Sequence, residues 1–280
     1  MKYLSILVVA ITLFTGCTTS NKTVKPKELK VVNCKTFGEN KNRFDCYMKK
    51  AKLGDAKSQS WVAYYYNVGK IVPKNRTLAN EWFLKAANQK DAYSQRELGL
   101  NFLNAKKYVD AAYWFQKAST QNDRIATREL AYLYDAGNGV TKDRKKAFAL
   151  FKQAAFQKDT YAQNEVGYYY KQGWAVPKDF GQAMYWYKKS AAKGNAYGLS
   201  EIGYLYAKGY GVEKNYTESF KWFKKAADKN SKYAMGWLGY QYEMGYGVPK
   251  DYQKAKVWYE KSGNTYSKGR LAKLKNRGLI

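Results

Sequence analysis

A chain of 280 residues can hold one large domain or two ordinary ones, and 28 Tyr, 12 Phe and 8 Trp give it far too much aromatic surface for a disordered polar polymer. Lys and Arg outnumber Asp and Glu by 50 to 22, a formal charge of +28, so the surrounding field is positive and a partner should be anionic somewhere, unless the lysines are only a solvated coat. There is no His, which removes the commonest general base and the commonest neutral metal ligand and so disfavours hydrolytic triads and most zinc sites.

The first residues read as an address. Met1-Lys2 precedes an apolar run from Leu4 to Phe14 and then Thr15-Gly16-Cys17, the pattern of a short secretory segment with small residues at its cleavage site. The run is too short to anchor the chain across a bilayer. Its end, Leu13-Phe14-Thr15-Gly16-Cys17, resembles a bacterial lipobox, with Phe14 standing where Leu is usual. The resemblance implies a signal peptide over residues 1–16 and a diacylated Cys17 as the mature N-terminus. Thr18 stands where an Asp would signal inner-membrane retention, which implies an outer-membrane lipoprotein facing the periplasm, with surface exposure left open. Residues 17–33, rich in Thr, Ser, Asn and Lys, predict a flexible tether. With Cys17 taken by lipid, Cys34 and Cys46 remain an even pair in an oxidising compartment, and a disulfide between them is expected to staple a capping helix region at 34–53.

The rest of the chain repeats itself. Residues 160–195, 196–231 and 232–267 align without gaps at a period of 36, placing Gly167, Gly203 and Gly239 in one column and Trp186, Trp222 and Trp258 in another. An aromatic follows each Trp (Tyr187, Phe223, Tyr259) and a small residue precedes it by three (Ala183, Ser219, Ala255). The register extends upstream to residues 124–159 and 54–90, while 91–123 keeps Gly99 and Trp114-Phe115 but lacks four residues in its middle. Each block opens with an apolar stripe at helical spacing and then meets a glycine turn, as in Gly209-Tyr210-Gly211-Val212, which ends a first helix A. Asp143, Asp179 and Asp251, with Asn75 and Asn215, stand where they can cap a second helix B, whose pattern Ala-x-x-Trp-aromatic-x-x-Ala gives one broad apolar face.

These residues closely resemble the Sel1-like repeat, whose pattern is Leu-Gly-x-x-Tyr-x-x-Gly-x-Gly-Val followed by Asp-x-x-x-Ala-x-x-Trp-Tyr-x-x-Ala-Ala. It runs nearly intact through Leu238-Gly239, Tyr242, Gly245, Gly247-Val248, Asp251, Ala255 and Trp258-Tyr259. The resemblance implies an all-α, right-handed α-solenoid of about six helix-turn-helix repeats over 54–267. The shortened block at 91–123 is more similar to the related tetratricopeptide repeat. Such an array needs capped ends, and the basic segment 268–280, with Leu271 and Leu274 on one side, is expected to be the C-terminal cap; an amphipathic helix on a membrane surface is the alternative.

In a helix-pair solenoid, helix A lines the inner surface. Similarity to tetratricopeptide arrays puts three columns there. One residue after the Gly column stand Tyr64, Leu100, Tyr132, Tyr168, Tyr204 and Tyr240; six before stand Tyr93, Ile125, Tyr161, Tyr197 and Tyr233; three before stand Arg96 and Arg128. Tyr and Arg are the chemistry of interface hot spots, so these are the expected protein-binding residues, although such tyrosines can equally fill seams between neighbouring helices. The column Tyr66, Phe102, Tyr134, Tyr170, Tyr206 and Tyr242 matches the structural Tyr of the repeat, and it and the Trp column are expected to serve packing.

No catalytic constellation, cofactor motif or metal site is predicted. The glycine turns lack the Gly-Lys-Ser/Thr ending of a phosphate loop, and the β-lactam chemistry linked to some cysteine-rich relatives goes with a disulfide in each repeat that is missing here. The expected function is therefore a non-enzymatic protein-binding scaffold with a protein partner of acidic surface. One version is an immunity protein that neutralises a secreted effector, such as a type VI lipase, in the periplasm. The alternative is binding of an envelope polyanion such as lipopolysaccharide. Membrane contact is expected only through the lipid anchor, and nucleic acid is not an expected partner, since the basic residues are spread through every repeat.

Overall fold

The computed structural model describes residues 33–280; the expected signal peptide, Cys17 and all of the tether but Asn33 lie outside them. The described residues form a 3-10 turn at Cys34–Thr36 and fourteen α-helices, with no strand among them. After α1 (Lys41–Lys52), helices A and B alternate as α2 (Ala56–Val68), α3 (Arg76–Asn88), α4 (Ala92–Asn104), α5 (Tyr108–Ser119), α6 (Arg124–Ala136) and α7 (Arg144–Phe156). They continue as α8 (Thr160–Gln172), α9 (Phe180–Ala191), α10 (Ala196–Lys208), α11 (Tyr216–Ala227), α12 (Lys232–Met244) and α13 (Tyr252–Ser262). The last helix, α14 (Thr265–Asn276), occupies the place of another helix A. Each helix A packs most closely on its own helix B and next on the helix B before it, which makes a two-layer α-solenoid.

The core repeats with the sequence. The aromatic after each Trp, or after Leu150 where it stands in the Trp column, namely Phe83, Phe115, Phe151, Tyr187, Phe223 and Tyr259, is at most 1% exposed. These rings lie directly on helix A: a Cβ added at Gly99, Gly167, Gly203 or Gly239 would come within 2.5, 2.7, 3.0 or 2.6 Å of the ring opposite. The Gly column therefore exists to let a ring touch the helix backbone, and Ala63 and Ala131 are the largest residues found in it. The Trp residues sit one position round helix B; Trp186 and Trp114 are buried and Trp82, Trp222 and Trp258 half-buried against neighbouring repeats.

Capping follows from the side chains. Asn75, Asp143, Asp179, Asn215 and Asp251 each accept a hydrogen bond from a backbone N–H in the first turn of their helix B, and Asp55, Asp91, Asp123, Asp159, Asn195 and Ser231 do the same for helices A. At α5 the cap position is Lys107, which makes no such bond; the connection from α4 is only residues 105–107, and Lys106 takes the left-handed conformation without a glycine (φ 59°). Beside this short connection a cleft of about 390 Å³ opens between α3 and α4, bordered by Thr77, Leu84 and Phe102.

In the long connections the second glycine rests on the helix B of the preceding repeat. A Cβ at Gly139 would lie 2.3 Å from the Tyr108 carbonyl carbon, one at Gly247 2.4 Å from that of Tyr216, and one at Gly211 2.6 Å from Phe180 Cβ. The residue between the glycines extends the contact: Tyr210 stacks on Phe180 (ring centroids 4.6 Å apart) and Tyr246 on Tyr216 (4.4 Å), while Trp174 lies 3.9 Å from the Arg144 guanidinium. In that last connection the second glycine is replaced by Ala175, at φ 59°.

Both ends are covered. A disulfide joins Cys34 to Cys46, tying the 3-10 turn to α1, whose Phe44, Tyr47 and Ala51 close the first repeat against Val62 and Tyr65. At the other end the cap starts earlier than expected: Gly263 adopts the left-handed conformation and ends α13, and Asn264 caps α14 from Thr265 rather than from Lys268. Leu274 is then fully buried with Tyr259, and Leu271 packs beside them.

The two loop positions make opposite tests of this geometry. Gly211→Ala should lower the unfolding free energy by about 1–3 kcal/mol, because it adds both left-handed strain and a clash. Ala175→Gly should raise it by about 0.5–1 kcal/mol, the strain relieved less the entropy glycine loses. Urea unfolding of both variants against wild type measures this, and destabilisation by Ala175→Gly would refute the strained-loop account.

Candidate functional site on the inner face

Helices A approach one another across repeats, with α4 meeting α6 and α12 meeting α14, so their shared side is the compressed, inner one. The predicted tyrosines line it at different depths. Tyr161, Tyr197 and Tyr233 are 59, 45 and 44% exposed, Tyr93 and Ile125 half-buried, and Tyr64, Leu100, Tyr132, Tyr168, Tyr204 and Tyr240 half-buried. Half-burial has a structural cause, because each inner ring also braces a neighbour: Tyr132 meets Phe151 edge-on at 4.9 Å, and Tyr204 meets Trp237 of the next repeat at 5.8 Å. The structural column Tyr66, Phe102, Tyr134, Tyr170, Tyr206 and Tyr242 is half-buried between helices.

The two arginines are turned inward on their own chain. Arg96 donates from Nη1 to Asp123 Oδ2 (3.0 Å) and from Nη2 to Glu97 Oε1 (3.0 Å), and Arg128 repeats this with Asp159 (2.9 Å) and Glu129 (2.6 Å). Each guanidinium also lies against a tyrosine, Tyr93 at 4.6 Å and Tyr161 at 5.1 Å. Since Asp123 and Asp159 cap the next helix A, these pairs tie repeat to repeat and hold Tyr93 and Tyr161 in place.

A further inner column is acidic and was not anticipated. Glu97, Glu129, Glu165 and Glu201 stand two residues before the Gly column, replaced by Trp61 and Trp237 at the two ends. The same register would have revealed them, but the overall positive charge directs attention to lysines. Tyr132 donates its hydroxyl to Glu165 Oε1 (2.9 Å), and Lys171 donates to Glu201 Oε2 (2.6 Å) while lying 5.3 and 5.4 Å from the Tyr168 and Tyr204 rings. Burial, together with the Asp135 carboxylate, holds Glu165 above the ordinary carboxylate range, and the Tyr132 hydroxyl only partly offsets this. The Tyr187 hydroxyl, buried where most repeats have Phe, finds no hydrogen-bond partner, and burial pushes its pKa far up.

Charge is thus unequally divided between the layers. The six helices A of the repeats carry seven Lys or Arg against six Asp or Glu, and the six helices B carry fifteen against four. The inner wall is aromatic and nearly neutral, and the cationic excess is on the outer layer. At its C-terminal end the wall deepens into a groove of about 560 Å³ between Tyr233, Trp237 and Tyr240 of α12 and Tyr266 of α14. Among the described residues, no helix is long and apolar enough to cross a membrane.

A tandem of helix pairs with a glycine-seated aromatic core and an open inner wall defines a repeat scaffold. The chain belongs to the Sel1 repeat family, whose pattern matches residues 56–91, 92–123, 125–158, 160–195, 196–231 and 232–264. Among solved structures it is similar to a protective antigen present in uropathogenic Escherichia coli strains and displaying an SLR fold, at 32% identity and a TM-score of 0.78 over 85% of this chain. The match spans 52% of that antigen, about half its length. A Sel1 repeat protein from Oxalobacter formigenes is also 32% identical, with a TM-score of 0.69 over 75% of this chain and 85% of its own. An immunity protein from Pseudomonas aeruginosa, 18% identical over 80% of this chain and 74% of its own, superposes with a TM-score of 0.41, too remote a likeness to carry an argument. No curated protein matches the chain.

Two substitutions test the electrostatics of the wall. Tyr187→Phe removes an unpaired buried hydroxyl and should raise stability by about 1 kcal/mol, whereas a loss of that size in denaturant unfolding would mean the hydroxyl is bonded. For Glu165, a raised folded pKa means stability that is full below the unfolded value and lost as pH rises through the folded one. Glu165→Gln should therefore melt above wild type at pH 7, with the difference vanishing below about pH 4, as thermal scans across that range would register.

Proposed function

We propose that this Sel1-repeat scaffold is a non-enzymatic lipoprotein of the bacterial envelope that captures a protein along its inner wall. The observation that carries the reading is the separation of a rigid, aromatic, nearly neutral helix-A wall from a lysine-rich helix-B layer. Aromatic rings already braced by Phe151, Trp237 and Lys171 lose little freedom when a partner covers them, which is the condition for efficient contact residues. In this reading the lipid on Cys17 holds the scaffold at the outer membrane, facing the periplasm. The captured protein, in its finer form, is a toxin delivered there by a neighbouring cell.

Envelope polyanion binding remains as a second reading, favoured by the cationic excess of helices B, and it uses the opposite layer of the molecule. Affinity purification from the protein's own cells, wild type beside Tyr168→Ala/Tyr204→Ala, tests the first reading. A partner retained by wild type and reduced about tenfold or more by the double variant is expected, with retention persisting at 0.5 M salt, about five times the usual ionic strength. Undiminished capture by the double variant, or a sole ligand released as salt rises, would favour the outer layer instead. For the toxin version, cells lacking the gene should become sensitive to attack by siblings carrying the cognate effector; equal resistance would sink it.

A further inference from the structure

In four consecutive helices A, α4 to α10, the residue three before the Gly column bridges to the residue capping the next one; Ser60 of α2 makes no such bond to Asp91. Arg96 reaches Asp123, Arg128 reaches Asp159, Asn164 Nδ2 reaches Asn195 Oδ1 (2.9 Å), and the Ser200 hydroxyl meets that of Ser231 (2.9 Å). At the next crossing the bridging residue is Gly236, the capping residue is Asn264, and the bridge is missing. A Cβ on Gly236 would stand 3.1 Å from Ser267 Oγ and 3.4 Å from Asn264 Nδ2. Ser267 is fully buried and its hydroxyl has no hydrogen-bond partner, while Asn264 Nδ2 reaches the Lys232 carbonyl only at 3.5 Å. Gly236 and Asn264 line the 560 Å³ groove, so one unpaired buried hydroxyl, that of Ser267, lies behind the wall of a cavity of ligand size.

The groove is rich in donors and short of acceptors. Glu243, the carboxylate paired with the lining residue Arg270, is saturated by Arg270 Nε (2.9 Å), Arg270 Nη2 and the Tyr259 hydroxyl (2.6 Å). Lys208, on the rim, makes no ion pair among the described residues and lies 5.7 Å from the Trp237 ring. One uncompensated cation matches one carboxylate better than a polyphosphate, and the rings of Tyr233, Trp237, Tyr240 and Tyr266 offer apolar surface around it. We infer that this groove is a subsite for an acidic peptide segment: one Asp or Glu carboxylate meets Lys208 and the Asn264 amide, and an adjoining apolar side chain lies among the four rings. The inference rests on the reading that the inner wall binds protein, and it names where and what it binds.

Calorimetric titration of the full chain tests it with three probes, the capped peptides acetyl-Gly-Phe-Asp-Phe-Gly-amide and acetyl-Gly-Phe-Asn-Phe-Gly-amide and the neutral sugar cellopentaose. The Asp peptide should bind at one site about tenfold more tightly than the Asn peptide. Lys208→Gln, at an exposed position, should erase that preference, and Gly236→Asn, which fills the gap at that crossing with the neutral bridge seen between Asn164 and Asn195, should weaken binding about tenfold or more. Equal affinity for the two peptides, indifference to Lys208→Gln, preference for cellopentaose, or no peptide binding at millimolar concentration would each overturn the inference. Failure of the peptides alongside loss of partner capture in Tyr168→Ala/Tyr204→Ala would remove this subsite and leave the scaffold reading standing; peptide discrimination with undiminished capture would do the reverse.

Discussion

The contact on which this molecule depends is an aromatic ring pressed against a helix backbone. Phe115, Tyr187, Phe223 and Tyr259 come so close to Gly99, Gly167, Gly203 and Gly239 that one extra carbon on the helix would collide with them. Close approach brings the two helices of a repeat into dense packing, and the ring is among the largest side chains that the core hides completely. No pair hides enough alone, so each leaves its half-buried Trp and Tyr to be covered by the next. Stacking is thus a requirement of the core, and the inner wall is what stacking leaves uncovered.

That requirement explains what could be read from the sequence. Period, glycine turns and capping residues all act within one repeat, so residues such as Asp179 and Gly209 announce their roles locally, and the helices fall where the pattern puts them. Contacts between repeats are harder to foresee. The partner of Arg128 is the cap of the following helix, and nothing in the neighbourhood of Arg128 distinguishes an arginine that greets a ligand from one that ties its own chain. The groove at the C-terminal end needs Tyr266, expected to belong to the last repeat, and Arg270, expected in the cap or a membrane-surface helix, and the early stop at Gly263 shifts that helix by three residues so that both stand on α14.

Composition misled in one further respect. A net charge of +28 says nothing about where the charge is, and the repeat sorts it: lysines follow the Trp of helix B, as Lys85, Lys225 and Lys261 do, each within 5 Å of the ring before it. Their stems cover half-exposed indoles while their ammonium groups stay in water. The inner columns hold Glu beside Tyr instead, and the two faces of the protein therefore present different chemistry to anything that approaches.

The short connection at 105–107 has a mechanical meaning. Wherever the connection is long, its tip lies on the preceding helix B and clips two repeats together along the outer rim, as at Gly139 on Tyr108 and Gly211 on Phe180. Residues 105–107 form no such clip on α3, so the first repeat, with its disulfide-tied cap, is joined to the rest by helix packing and side-chain hydrogen bonds such as Asn101–Asn80 (2.7 Å), without a loop laid across the seam. A tug on the N-terminal end would meet its weakest resistance there, and the array would hinge or part at that seam while the clipped repeats beyond it held together.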